Sequence, residues 1–482
     1  MNQRNSPQSG AIGAAGASLG ACAGTAPFAT KAASPHQDSR PNFVIILTDD
    51  QGYQDVGCYG SPDIRTPNLD RMAAEGVRFT DFYVAAPLCS PSRAALLTGC
   101  YPQRVSITSV LHPHSKIGLH PSEITIADML KARGYATACI GKWHLGHLSP
   151  FLPTRHGFDY YFGLPYSNDM FVNRETNESG IPLMRGEEVI EKPVVQETLT
   201  PRYTEEAVRF ITENKGRPFF LYLPHTAPHV PLHVSERFAG RSNRGTYGDV
   251  IEEIDWSTGE ILSALKDLSL DRNTLVIFTS DNGPWLAKEK DGGSALPLRD
   301  GKATAWEGGM RVPAIMRWPG RIPSGSVCTE MAVAFDLFPT IAALAGADLP
   351  TDRIIDGKDI WPLISPKPEA TTPHESFFYY EASGLCAVRS GKWKLIIPRT
   401  KAHRRPDGSV MTTDIPLSLY DLSADIGETN DLSAAHPDVV KRLLVLAERS
   451  RDDIGDSLQQ REGKNVRPPG RTEDEQAAPD QP

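Results

Sequence analysis

Apolar runs alternate with amphipathic stretches through most of the chain. The runs are rich in β-branched residues and have few polar positions, a pattern typical of strands that are buried on both faces. They fall at 42–48, 135–140, 219–223 and 274–280, and helical patterns fall at 67–75, 122–132, 201–213 and 248–268. Because strands and helices alternate, we expect an α/β fold with a large, mostly parallel sheet sandwiched by helices.

The pattern changes after about residue 370. Closely spaced apolar segments at 375–380, 385–390 and 393–398 predict strands, and a helix is predicted at 436–450. These elements indicate a smaller C-terminal antiparallel sheet with a helix. The predicted organisation is a leader at 1–40, an α/β domain at 41–370, a C-terminal subdomain at 371–455 and a disordered tail at 456–482.

The leader differs in composition from the rest of the chain. Arg4 precedes a weakly apolar Ala/Gly run that is similar to a poor signal peptide, and Leu-Gly-Ala-Cys, ending at Cys22, is similar to a bacterial lipoprotein processing box. Two hypotheses follow: an exported protein (periplasmic, lipid-anchored through Cys22, or secreted), or a disordered leader. No apolar run is long enough to predict a transmembrane helix. The net charge of −9, without a block of Lys or Arg, argues against a nucleic-acid partner.

Acidic side chains follow two of the predicted buried strands. Asp49 and Asp50 come directly after 42–48, and Asp281 and Asn282 come directly after 274–280. Ligand sites in open parallel sheets lie at the carboxyl ends of strands, so the two clusters can converge. Their oxygens suit Ca²⁺, or Mg²⁺, better than zinc. Each cluster alone could simply form a turn, but two clusters in matching positions favour a metal site.

One cysteine stands at the start of a predicted helix. Ser90 can cap this helix with Pro91 as its first residue, and Gly99 is a natural stop. Cys89 would then lie at the positive end of the helix dipole, close to Arg93. The chain has seven cysteines without a CxxC pair, so reduced thiols are expected rather than a disulfide framework. Cys89 could be a buried thiol, a thiolate nucleophile or the precursor of another group, since no local histidine offers a base.

Two segments resemble signatures of the formylglycine-dependent sulfatase family. "CSPSRAALLTG" at 89–99 matches the Cys-x-Pro-Ser-Arg signature, and "GYATACIGKWHLG" at 134–146 matches the second one. Further similar stretches extend the resemblance over 41–450, to arylsulfatases of the alkaline-phosphatase-like superfamily. The resemblance implies that a maturation enzyme, formylglycine-generating or anaerobic, converts Cys89 to Cα-formylglycine. One hydroxyl of the aldehyde hydrate would then attack the sulfur of a sulfate ester.

The resemblance also implies a role for each matching residue. Ca²⁺ would be held by Asp49, Asp50, Asp281, Asn282 and the converted Cys89. Arg93 would steady the hydrate, and Lys142 and His144 would lie beside it. His229 would protonate the leaving oxygen, with His225 as a competitor, and Lys302 would bind the sulfate. Ser167 is a further substrate-binding candidate. Individually, each of these residues could be an ordinary strand-end, loop or surface residue.

The resemblance implies hydrolysis of sulfate monoesters, with a sulfated small molecule or glycan as the substrate. Two alternatives remain: a phosphomonoester or phosphonate hydrolase on the same fold, and a non-catalytic sulfoglycan-binding protein whose Cys89 is never converted. Substrate specificity is expected in the loops around 100–120, 165–200 and 285–300, and the sequence does not identify the ester.

Overall fold

The predicted apolar runs form the centre of one large sheet. The computed structural model describes residues 40–171, 179–365, 367, 369–404 and 410–472. The leader with Cys22 and the last part of the tail lie outside these residues, so the predictions made for them stay predictions. Among the described residues the sheet has ten strands, whose order across it is Ser326–Cys328, Val77–Phe79, Ala314–Arg317, Thr274–Ser280, Asn42–Thr48, Phe219–Pro224, Ala136–Ile140, Tyr160–Gly163, Leu183–Arg185 and Glu188–Glu191.

The central strands are parallel and completely buried. Asn42–Thr48 pairs in parallel with Thr274–Ser280 on one side and with Phe219–Pro224 on the other, and antiparallel pairings occur toward both ends of the sheet. Alternate residues of Asn42–Thr48 belong to two different apolar cores, as expected for a strand covered on both faces. The predicted fold class is therefore confirmed.

Helices cover both faces of the large sheet. Cys89–Thr98 and Leu337–Ala345 pack on one face, and Leu199–Glu213 and Thr246–Asp267 pack on the other. The remaining helices are Pro67–Ala74, Ile126–Ala132, Glu307–Met310, Trp361–Ile364 and Pro437–Ile454. Among the described residues, no helix combines the length and apolar character needed to cross a lipid bilayer.

The C-terminal part forms a second, antiparallel sheet. Its strands, in order, are Phe377–Glu381, Gly384–Ser390, Trp393–Ile396 and Ser418–Asp421, and a separate hairpin pairs Arg399–Arg404 with Val410–Ile415. Helix Pro437–Ile454 packs against this sheet. The predicted boundary at 370/371 stays a prediction, because all described residues belong to one compact unit that begins at residue 38.

The expectation of disorder from residue 456 is wrong for 456–472. This segment contains a short 3₁₀ helix, Ser457–Gln459, and a strand, Gly470–Arg471, that pairs with Ile117–Gly118. Its polar residues have specific partners, which a composition argument does not reveal. Arg467 forms an ion pair with the buried Glu123 at 2.6 Å.

A buried ionic network joins the two sheets. Glu307 begins helix Glu307–Met310, and its carboxylate lies 3.0 Å from the Nζ of Lys394 on the second sheet. Lys394 also pairs with Glu428 at 2.8 Å, and all three side chains are fully buried. The Glu307 carboxylate further accepts hydrogen bonds from Tyr83 and Tyr379. Such a network ties the second sheet firmly to the helix beside the site.

Candidate active site

The two acidic clusters meet at one edge of the large sheet. The register aligns Thr48 with Ser280, which brings the residues that follow them together. The backbone N–H of Asp50 donates to Asp281 Oδ1 at 3.2 Å, and Asn282 Nδ2 donates to Asp50 Oδ1 at 2.7 Å. Asp49, Asp50, Asp281 and Asn282 are all buried. The convergence expected from the sequence is therefore present.

The helix carrying Cys89 begins earlier than expected. Cys89 itself is the first helical residue, Leu88 precedes it in extended conformation, and no side chain caps the helix. Capping by Ser90 and a start at Pro91 are therefore wrong, and Ser90 Oγ instead accepts a hydrogen bond from the backbone of Leu111 at 3.1 Å. Gly99 ends the helix with a φ of 72°, as predicted. Cys89 thus lies in the first turn, where unpaired N–H groups favour negative charge.

Cys89 lies directly beside the acidic clusters. One potential ligand atom from each of Asp49, Asp50, Cys89 and His229 lies within 4.8 Å of the others. Burial raises the pKa of the Cys89 thiol to about 11, although Lys142 and Lys302 oppose the shift. An unmodified thiol is therefore protonated at neutral pH, which argues against the thiolate nucleophile that the helix position suggested. The six described cysteines are all free thiols.

Three cations balance the three carboxylates. Arg93 forms a two-pronged contact with Asp281, from Nε at 2.9 Å and from Nη2 at 2.8 Å, and its Nη1 donates to the carbonyl of Lys142 at 2.6 Å. Lys142 Nζ donates to Asp49 and, at 3.1 Å, to Ser167 Oγ. Lys302 Nζ lies 2.7 Å from Asp50. The partners of Arg93 are thus the carboxylates and the segment that carries Lys142.

The charges shift the pKa values of these groups. Burial tends to raise the pKa of Asp49, but Lys142, His229 and Arg93 outweigh it and hold the pKa below its usual range. The pKa of Lys302 is raised because Asp50 outweighs the effect of its burial. The site therefore keeps Asp49 and Lys302 in their charged forms.

The geometry defines the tautomers of two histidines. His229 Nδ1 donates to the carbonyl of Val230 at 2.6 Å, so its Nε2, 3.5 Å from Asp50, is the atom that gains or loses a proton. His144 Nε2 donates to the carbonyl of Leu111 at 2.8 Å, which leaves a buried Nδ1 without a hydrogen-bond partner. Burial lowers the pKa of both rings. His225 has neither ring nitrogen bonded to the site and packs against Tyr203, which favours His229 over its competitor.

Buried oxygens fit a divalent cation. Asp49 Oδ1 and Asn282 Oδ1 are buried acceptors without a hydrogen-bond partner among the described residues. An unpaired buried acceptor is costly, and a hard cation satisfies carboxylate and amide oxygens. A divalent cation bound to these oxygens would add positive charge to the site.

One aromatic residue at the site was not singled out from the sequence. The Trp285 ring centroid lies 5.7 Å from that of His229, and Lys302 Nζ lies 4.7 Å from the same Trp285 ring. Trp285 follows Asp281-Asn282-Gly283-Pro284 directly and lies in the predicted specificity loop 285–300. The sequence feature that could have identified Trp285 as a site residue was its position directly after Asp281-Asn282-Gly283-Pro284.

Comparisons with known proteins decide the family. A family model described as sulfatase matches residues 41–347, and one described as the C-terminal region of aryl-sulfatase matches residues 372–472. The chain belongs to the sulfatase family. This sulfatase is 42% identical to human arylsulfatase A over 444 residues, which cover 84% of the chain and 87% of that protein. It is 44% identical to the N-acetylgalactosamine-6-sulfatase of Canis lupus familiaris, over 73% of the chain and 71% of that protein.

A solved structure agrees with these relatives. The PsFucS1 sulfatase from Pseudoalteromonas sp. matches the sulfatase with a TM-score of 0.77 and 28% identity, covering 86% of the chain and 91% of that structure. The predicted family and enzyme class are therefore confirmed: the sulfatase is a sulfuric ester hydrolase.

Proposed function

We propose that this sulfatase hydrolyses sulfate monoesters with a formylglycine made from Cys89 and with Ca²⁺ held in the acidic cage. The residues that would hold the cation are Asp49, Asp50, Asp281, Asn282 and the converted residue 89. When bound, the cation would polarise the sulfate oxygens and lower the pKa of the attacking hydroxyl. The buried, unpaired oxygens of Asp49 and Asn282 support the cation.

The two lysines bind the sulfate in this proposal. Lys142 pairs with Asp49, and Lys302 pairs with Asp50, so that each lysine lies against a different carboxylate of the cage. Negative charge grows on the sulfuryl and leaving oxygens in the transition state. Fixed ammonium groups stabilise that charge more than they stabilise the ground state. Ser167 accepts a hydrogen bond from Lys142 and thereby keeps its ammonium aimed at the cage.

The two histidines divide the proton transfers. His229, when protonated at Nε2, gives that proton to the leaving oxygen and holds its ring in place through the Nδ1 bond to Val230. One hydroxyl at position 89 bonds to sulfur while the bond from sulfur to the leaving oxygen breaks. His144 Nδ1, which carries a buried lone pair, then accepts the proton of the second hydroxyl, so that the aldehyde re-forms and sulfate leaves. Arg93 bonds to both Asp281 and the backbone of Lys142 and so fixes the position of one relative to the other.

One observation carries the proposal: Cys89 Sγ shares a 4.8 Å cluster with Asp49, Asp50 and His229. In the encoded protein Sγ stands for the oxygen of the converted side chain. The test is co-expression with a formylglycine-generating enzyme, mass analysis of the peptide containing residue 89, and turnover of 4-nitrophenyl sulfate. We expect an aldehyde at residue 89 and turnover that requires it, with Cys89→Ala inactive but folded.

The same assay examines the alternatives. Preferential turnover of 4-nitrophenyl phosphate would make the protein a phosphomonoester hydrolase. An unconverted Cys89 in protein from its native host, together with binding of sulfated glycans and no turnover, would make it a binding protein. Either result would overturn the proposal.

We also propose that the chain is exported and matured by a separate enzyme. The similarity of Leu-Gly-Ala-Cys to a lipoprotein box and the need to convert Cys89 support this. In a bacterial host, radiolabelled palmitate should label the wild type and not Cys22→Ala. Equal distribution of both proteins in the cytoplasm would contradict export.

A further inference from the structure

The indole ring of Trp285 lies beside both His229 and Lys302. Trp285 meets the His229 ring at 5.7 Å between centroids with a tilt of 54°, and Lys302 Nζ lies 4.7 Å from its centroid. Both neighbours also contact Asp50, from His229 Nε2 at 3.5 Å and from Lys302 Nζ at 2.7 Å. Trp285, His229 and Lys302 therefore form one continuous side of the site.

Solvent reaches the site from this side. The side chain of Lys142 is 0% exposed, that of His229 3% and that of Lys302 7%. Trp285 is partly exposed, and residues 286–290 after it are exposed. A substrate whose sulfate lies in the buried cage must therefore leave its organic part on the side of Trp285.

The leaving oxygen fixes where that organic part begins. This step rests on the proposed function, in which His229 Nε2 protonates the leaving oxygen. A donor and its acceptor are about 3 Å apart, so the first atoms of the alcohol lie within reach of the indole next to His229. Aromatic rings pair at centroid separations of 4.5–7 Å, and flat apolar faces pack on indole in the same way.

A second charge lies on the same ring. Lys288 Nζ is 4.3 Å from the Trp285 centroid, and Lys288 lies on the exposed segment 286–290. Within the described part of the chain, no carboxylate forms an ion pair with Lys288. Its ammonium is held by the indole rather than by a counter-ion, so it can pair with an anion brought by a substrate.

We propose that Trp285 and Lys288 form the leaving-group site, and that it selects alcohols that present a six-membered ring with an apolar face and a second negative charge. A carboxylated phenol and a sugar with a second sulfate share this chemistry. Trp285 supplies the packing surface next to the scissile bond, and Lys288, whose Nζ lies 4.3 Å from the centroid of the same ring, supplies the charge.

The test compares each variant with the wild type on sulfate esters that have or lack these two features, so that differences in leaving-group acidity between the esters cancel. Ethyl sulfate has no ring, phenyl sulfate has a ring, and 4-sulfooxybenzoate has a ring with a carboxylate. Ethyl sulfate and the two aryl esters form the aryl arm of the test. Glucosamine 6-sulfate and its N,6-disulfated form are the sugar arm, which tests the same two features with a sugar as the leaving group. We expect Trp285→Ala to lower kcat/KM about tenfold more for the ring esters than for ethyl sulfate, because only the ring esters lose a packing surface. Trp285→Phe should restore most of the loss.

The charge is tested separately. Lys288→Gln should remove a several-fold preference for 4-sulfooxybenzoate over phenyl sulfate and should leave phenyl sulfate unchanged, with Lys290→Gln, an exposed lysine two residues away, as the matched control. If only the sugar arm or only the aryl arm responds, that arm identifies the leaving group.

Inhibition by inorganic sulfate separates the two proposals, because this anion occupies the cage without a leaving group. Its inhibition constant should change less in Trp285→Ala than kcat/KM for the ring esters does. Equal losses for ethyl and ring esters, or a sulfate inhibition weakened as much as ring-ester turnover, would give Trp285 a merely structural role and overturn the leaving-group site. Absence of turnover in the matured wild type would instead overturn the proposed function. Trp393→Phe, a tryptophan of the second sheet that also contacts a lysine and a histidine, should change neither measurement.

Discussion

Removal of one buried lysine should destabilise the whole protein. Lys394 Nζ lies 3.0 Å from Glu307 and 2.8 Å from Glu428, and none of the three side chains is exposed. Each contact corresponds to about 6 kcal/mol of Coulomb attraction at an effective dielectric constant of about 20. In Lys394→Met the buried Glu428 carboxyl would lose its paired lysine, Glu307 would keep only Arg311 as an ion-pair partner within the described residues, at 3.4 Å, and protonation of Glu428 would limit the loss. We therefore expect the free energy of unfolding to fall by about 3–5 kcal/mol.

The loss should depend on pH with a defined sign. Burial raises the pKa of Glu428 to about 7 even with Lys394 opposing it, whereas Lys394 and Arg311 outweigh burial at Glu307 and lower its pKa. Without Lys394 the folded-state pKa of Glu428 rises further above that of the unfolded chain, and the pKa of Glu307 moves up although Arg311 and Arg389 still lower it. The folded variant then binds more protons than the unfolded one, so its stability falls as pH rises from about 5 to 8.

Urea unfolding followed by circular dichroism at pH 5 and pH 7.5 measures both effects. The matched control is Lys392→Met, whose lysine pairs with Asp421 but is 52% exposed, so less than about 1 kcal/mol should be lost. Equal midpoints for the two variants at pH 7.5, or a Lys394→Met variant that gains stability as pH rises, would refute the reasoning.

Three further predictions concern the site. His229→Gln should lower kcat/KM more for alkyl than for nitrophenyl sulfates, because poor leaving groups need the proton most, whereas His225→Gln should show no such dependence on leaving-group pKa. Burial lowers the pKa of His229, and its protonated form is the active one in the proposal. The decline of kcat/KM with rising pH should therefore begin at a pH below the pKa of an ordinary histidine. A flat pH profile through pH 7 would contradict the acid role. Chelation with EGTA should abolish turnover and lower the melting temperature, both restored by Ca²⁺, and Asp281→Asn should need more Ca²⁺ for the same recovery.

The strands could be predicted closely because their apolar runs are continuous. The runs at 42–48 and 274–280 match the observed strands residue for residue. Helix starts were less predictable, because they depend on caps. Thr125 and Asp128 form a capping box, so the helix expected from 122 begins at Ile126. The helix of Cys89 accommodates Pro91 in its first turn, where a missing N–H costs nothing.

The acidic cage was predictable because parallel strands of matching register must bring their ends together. The side chains that pack around the acidic cage could not be predicted as easily from the sequence. The contact of Trp285 with His229 joins two segments more than 50 residues apart, through loops without a periodic pattern. The structured segment 456–472 is likewise held by ion pairs between distant residues, which composition cannot reveal.

The second sheet supports the chemistry although it supplies none of the proposed site residues. Glu381 accepts a hydrogen bond from the backbone of Ala305 at 2.9 Å, and Lys401 Nζ donates to the carbonyl of Ala303 at 3.1 Å. These contacts hold the loop that carries Lys302. On the other side of the same loop, Gly283 donates to the carbonyl of Gly309 at 3.1 Å, and a Cβ at Gly283 would come within 1.7 Å of Gly308 O. The helix that begins at Glu307 therefore packs directly against the turn after Asn282. Because the Lys302 loop and this turn are both tied to the second sheet, the ammonium of Lys302 and the amide of Asn282, to which we assign sulfate and metal binding in the proposal, should keep their spacing only when the two sheets are joined.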